Sequence, residues 1–157
     1  MTLTSEKLKQ LLHYDLDTGI FIWRETRGCR CAGDIAGRGQ KSIYREIRID
    51  KRLYKAHRLA WLYMTGEWPT KSIDHANGDP ADNRFCNLRL ATMAQNIANS
   101  KLSKANTIGL KGVTPREGMW LARLKGKSVG TFDCPAAAHF AYLIAADKEF
   151  GEFARAR

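Results

Sequence analysis

Asp74 and His75 stand side by side ahead of a loop rich in asparagine, aspartate and glycine, and Asn96 follows in the next apolar stretch. A carboxylate beside a histidine suits hydrolysis of a phosphodiester. The stretch from Ser72 to Asn96 reads as a short strand ending in Asp74-His75, a loop, a short strand over 87–90, and a helix from about Thr92. Neighbouring side chains at a strand end point to opposite sides. Asp74 can therefore hold a metal ion while His75 reaches a water. One turn into the helix, the amide oxygen of Asn96 can return to the same ion. A histidine whose pKa stays near ~6.5 is a suitable general base at neutral pH. Two hard oxygens, completed by water and phosphate, suit Mg²⁺ or Mn²⁺ over Zn²⁺. The duller alternative is a structural Asp74–His75 hydrogen bond.

This stretch resembles the HNH, or ββα-metal, endonucleases in the variant whose third letter is Asn, the three letters being His75, Asn87 and Asn96. Upstream, Leu53-Tyr-Lys-Ala-His57-Arg-Leu-Ala-Trp61 and Gly66-Glu-Trp68-Pro69 are also similar to small phage and intron-encoded homing endonucleases of that family. The resemblance runs from the first helix to about residue 100. It implies that His75 activates water, that Asp74 and Asn96 bind one divalent ion, Mg²⁺ or Mn²⁺, and that Asn87 braces the loop. Asn83 is read as a second structural residue of the motif. His57 is open between a phosphate contact and a helix-start or core role.

Farther on, Gly112-Val-Thr, Trp120-Leu-Ala-Arg123, Val129-Gly-Thr-Phe132 and Ala136–Tyr142 resemble the APETALA-type DNA-binding domain of plant ethylene-response factors. In that domain Arg and Trp side chains of a sheet enter the major groove. The matching positions are Arg116, Trp120, Arg123, Lys125 and Lys127, with a core role for Trp120 as the alternative.

These residues need elements to position them. Leu3-Thr-Ser-Glu-Lys-Leu8 reads as a helix start, with Thr4 as cap and Leu3 and Leu8 as a hydrophobic staple. Leu8, Leu11 and Leu12 then form one helical face. Asp15–Gly19 is a turn leading into a strand over 20–23, and 28–39 is loop-like. The alternation of Ile43, Arg45, Ile47 and Ile49 predicts a strand over 42–49. It forms a hairpin with 53–56 through Asp50-Lys51. A short helix over 57–64 ends at Gly66. Strands are expected over 111–114, 119–125 and 128–132, followed by a helix from Pro135 to about Phe150 that turns Ala137, Ala141, Ile144 and Ala145 toward the sheet.

The fold class implied is α+β: residues 1–100 as N-terminal region and nuclease domain, 101–108 as linker, and 109–157 as a three-stranded sheet packed on one helix. The 157 residues carry a net charge of +10, unevenly spread. Residues 1–71 and 101–130 are each net +6, whereas 72–100 and 131–157 are each net −1. A basic chain with an acidic island points to a polyanionic partner and a site that attracts cations. The partner expected is double-stranded DNA, bound by a monomer. No apolar run reaches the ~20 residues of a membrane span, and no secretory leader is read at the N-terminus. A cytoplasmic protein is expected, in the host bacterium if phage-encoded. Cys29, Cys31, Cys86 and Cys134 match no zinc-site spacing. The rival function classes are a non-catalytic, sequence-specific DNA-binding regulator and an RNA- or nucleoprotein-binding accessory factor.

Overall fold

A computed structural model describes residues 2–26, 28–37 and 43–155. Residue 42, the start of the expected 42–49 strand, lies outside them, as do 38–39 of the loop and the last two residues of 109–157. The chain divides into two compact units, Met1–Thr92 and Met93–Arg157. Both mix helix and strand, so the architecture is α+β.

In the first unit, α1 (Ser5–Leu11) starts where the Thr4 hydroxyl accepts a hydrogen bond from the Lys7 amide. Leu3 and Leu8 are both buried, closing the staple. The helix ends one residue earlier than its leucine pattern implies. Leu12 leaves it to open β1 (Leu12–Tyr14), which pairs antiparallel with β2 (Phe21–Trp23). Between these strands Asp15 caps a turn by accepting from the Asp17 and Thr18 amides. Gly19 closes the turn at φ +70°, and a Cβ there would lie 2.4 Å from the Arg84 nitrogen. Only glycine allows the turn to press this closely against the 83–84 backbone.

The hairpin β3 (Glu46–Ile49) and β4 (Arg52–Lys55) buries Ile47 and Ile49. α2 (Ala56–Thr65) buries Ala56, His57, Leu59, Ala60 and Leu62, and ends at Gly66 in the left-handed conformation. Finally β5 (Ser72–His75) pairs antiparallel with β6 (Leu88–Ala91), a 3-10 turn over Phe85–Asn87 leading into the second strand. One apolar core, including Leu8, Phe21, Ile47, Leu59 and Leu62, lies under all these pieces.

The second unit opens with α3 (Met93–Asn99). A three-stranded antiparallel sheet follows, in the order β7 (Val113–Arg116), β8 (Met119–Leu124), β9 (Lys127–Phe132). Its two hairpin tips, Glu117-Gly118 and Lys125-Gly126, have positive φ at both central residues, as tight hairpin turns require. α4 (Pro135–Phe150) starts with Pro135 in its first turn and the Cys134 sulfur accepting from the Ala137 amide. The face it buries overlaps the expected one only in part, Ala141 packing half-buried against the second core. Ala138, Tyr142 and Ala146 are buried, while Ile144 is exposed. Tyr142 decides this: a Cβ on Gly112 would sit 2.1 Å from its ring, so ring and glycine backbone interlock. All four cysteines are free and exposed. Among the described residues no helix is long and apolar enough to cross a membrane.

Candidate functional site

Asp74 and His75 end β5, and both are buried, at 4% and 5% exposure. Three separate stretches of chain surround His75. Tyr44 stacks on its ring, with centroids 6.0 Å apart and planes 25° apart. His57, from the first turn of α2, meets it edge-on at 5.2 Å. On the loop side, Asn83 Oδ1 lies 3.2 Å from His75 Nε2.

The orientation of the Asn83 amide is set by its other end, since Nδ2 donates to the Ala81 carbonyl at 3.2 Å. Its oxygen must therefore face His75, and accepting there requires a hydrogen on Nε2. The basic lone pair of the imidazole then belongs to Nδ1. Asn83 is 2% exposed, and its backbone is pinned too. The Tyr14 hydroxyl donates to the Asn83 carbonyl at 2.6 Å, and the glycine turn at residue 19 abuts the same peptide. Burial pushes the Tyr14 phenol up to about 12, so it donates at any ordinary pH.

The neighbouring His57 is held neutral. Burial, then the nearby His75, Lys55 and Arg58, pull its pKa down to about 3. Its Nδ1 is a buried polar atom without a hydrogen-bond partner. Tyr44 contacts His57 edge-on at 5.0 Å and carries the Lys55 ammonium 4.8 Å above its ring.

The loop between β5 and β6 is braced by Asn87. Its Oδ1 accepts from the Asn77 amide at 2.9 Å, and its Nδ2 donates to Asn77 Oδ1 and to the Asp82 carbonyl. Asp82 in turn clamps Arg84 through two hydrogen bonds of 2.8 and 2.6 Å. The Arg84 pairing, foremost, holds the Asp82 carboxyl down at about 2. Asp74 faces a cation of the protein's own: Arg89 lies opposite it in the β5–β6 ladder and donates Nε to Oδ2 at 2.9 Å. Neither Tyr44 nor Arg89 stands out in the sequence as a site residue. Arg89 carries one usable signal there, a basic residue opposite an acid once the two strands are registered.

Asn96 lies on α3 in the second unit and is half-buried. Among the described residues no cluster of three or more His, Cys, Asp or Glu could hold a metal ion. The oxygens of Asp74 and Asn96 are nonetheless hard donors of the kind Mg²⁺ takes. Of the other residues singled out, Arg116, Arg123, Lys125 and Lys127 are exposed in the second unit. Lys125 Nζ pairs with Glu149 at 2.6 Å, and Arg123 donates to the Gly126 carbonyl. Trp120 shares its side of β8 with the fully buried Ala122 and packs against the second core, half-buried.

Comparison with a family model bears on the first unit and the start of the second. Residues 54–98 match the family of HNH endonucleases. That segment runs from β4 into α3 and contains Asp74, His75, Asn83, Asn87 and Asn96. Protein 3.8 of Escherichia phage T7 is a similar chain, 41% identical over 68 residues that make up 41% of this chain and 56% of that protein. The chain thus spans little more than half the length of that relative. No solved structure gives a significant match.

Proposed function

We propose that the protein is a divalent-metal-dependent DNA endonuclease of the homing type, with His75 as general base and Asp74 and Asn96 as ligands of one Mg²⁺ or Mn²⁺. The observation that carries this reading is the buried Asp74–His75 pair, its imidazole oriented by Asn83, inside the segment that matches the HNH endonucleases. His75 Nδ1 takes the proton of a water that attacks the phosphorus in line with the leaving 3′-oxygen. Asn83 keeps the imidazole in the tautomer able to do so, and gains strength as an acceptor when the ring becomes cationic. Neutral His57 at the ring edge adds no positive charge against that cation. Tyr44 and Asn83 fix the ring between them. The bound ion would supply charge stabilisation for the phosphorane and the departing oxygen.

The products are 5′-phosphate and 3′-hydroxyl ends. Residues 109–157 act as the reader of the duplex, with Arg116, Arg123, Lys125 and Lys127 toward DNA and Trp120 at the margin of the core, in the manner of the ethylene-response-factor domain they resemble. The chain works as a monomer in the cytoplasm, the host's if phage-encoded. Incubating supercoiled plasmid with the protein, with and without Mg²⁺, tests this reading. Metal-dependent nicks that DNA ligase reseals directly are expected. Binding without nicking in any metal would favour the non-catalytic DNA-binding regulator.

A further inference from the structure

The carboxylate assigned to the metal already has a cation on it. Arg89 Nε and Nη2 both lie 2.9 Å from Asp74 Oδ2, so two guanidinium nitrogens converge on one oxygen. The Asp74 side chain is 5% exposed and that of Arg89 18%. The pair is fixed in place by the strands, since the two Cα positions are partners in the β5–β6 register. A carboxylate this buried is costly to leave charged and unpaired. A divalent ion and a guanidinium also repel each other when they share one oxygen. Occupancy of Asp74 by the ion therefore competes with occupancy by Arg89.

Building on the assignment of Asp74 as a metal ligand, we propose that Arg89 is the protein's own stand-in for the divalent ion. It occupies the Asp74 carboxylate until metal and DNA arrive together, and its guanidinium then passes from Asp74 to a phosphate of the substrate. The exchange leaves no charge unpaired. Before it, Asp74 faces Arg89; after it, Asp74 faces the ion and Arg89 faces the phosphate. A guanidinium suits both partners, because its planar fork matches carboxylate and phosphate oxygens alike. Arg89 needs only side-chain rotation for the move, its side chain being partly exposed although Nη2 itself is buried in the resting pair.

One substitution then has two effects that run in opposite directions. In full-length Arg89→Gln without DNA, Mn²⁺ binding followed by the decrease of the free-ion electron paramagnetic resonance signal tightens by about tenfold or more, because the binding-competent carboxylate is no longer mostly occupied. The same protein nicks supercoiled plasmid at least about tenfold more slowly at saturating Mn²⁺, since no guanidinium remains to bond the phosphate. Arg89→Lys binds Mn²⁺ nearly as the parent does, and Asp74→Asn abolishes the binding. Equal or weaker Mn²⁺ binding in Arg89→Gln would overturn the proposal and leave Arg89 a structural brace. Absence of Mn²⁺ binding from the parent and Arg89→Gln alike would remove Asp74 as a ligand, and the stand-in with it. Should Arg89→Gln fold poorly, melting curves with and without Mn²⁺ decide: recovery of the fold by the ion supports the exchange, and no recovery overturns it.

Discussion

His75 is held by side chains that come from residues 44, 57 and 83, and each hold has a consequence that a substitution reads out. Asn83→Leu leaves Nε2–H facing a methyl group. An unsatisfied buried donor costs about 1–3 kcal/mol of stability, and the nicking rate falls because the ring no longer has its orienting acceptor; DNA affinity stays. Thermal melting and a nicking time course measure both. His57 makes the fold sensitive to acid. Its folded pKa of about 3 lies below the ordinary imidazole value, so between these pH values the unfolded chain binds a proton that the folded chain refuses. Stability from this group is complete above about pH 6.5, falls by at most about 1.4 kcal/mol per pH unit below that, and levels off under pH 3. His57→Gln, measured by urea denaturation from pH 4 to 7, flattens that slope; an unchanged slope would place its origin elsewhere. The groups facing His57 are Tyr44, Lys55, Arg58 and His75. That a strand ends in Asp74 and His75 was legible in the sequence, because the pair directly precedes a loop rich in Asn, Asp and Gly. Tyr44 and Arg89 were not, since stacking across thirty residues of chain and a cross-strand ion pair arise only from tertiary folding and register.

Among the elements, those with a local stop or start signal were readable. α4 begins at Pro135 and α2 stops at Gly66, where only a left-handed residue closes the last turn. β1 was hidden, because Leu8, Leu11 and Leu12 satisfy a helical period although Leu12 is buried in a strand. The buried stripe of α4 was hidden for a similar reason. Its small residues recur on several faces, and the packing of Tyr142 on Gly112 selects one of them. The hairpin turns carry a prediction. Two tips place glycine second, but the β3–β4 tip puts Asp50 at φ +46° and Lys51 at φ +67°. A left-handed conformation costs an ordinary residue roughly 1–2 kcal/mol. Lys51→Gly, offset in part by glycine's greater unfolded entropy, stabilises the first unit by about 0.5–1 kcal/mol. The urea midpoint rises with an unchanged slope; a lower midpoint would contradict the turn geometry.

Across the whole chain, charge divides the work. Along the sequence the candidate catalytic island of 72–100 is net −1 and the stretches before and after it are each net +6, a balance suited to a polyanionic partner. If residues 109–157 read the duplex, replacing Arg116, Arg123 and Lys127 together by Gln in the full chain weakens DNA binding and flattens the dependence of log K on log salt by about 2.7 units, ~0.9 for each phosphate that is no longer neutralised. Discrimination between cognate and random duplex falls with it. An unchanged slope would transfer binding to the basic first unit. Whether this molecule cuts DNA with His75 as its base is decided by one comparison. Nicking of supercoiled plasmid in Mg²⁺ is followed for the parent and for His75→Ala, with duplex affinity measured alongside. His75→Ala lowers the rate by about 10²–10⁴-fold at unchanged affinity. Nicking by His75→Ala at the parental rate would remove His75 as the base.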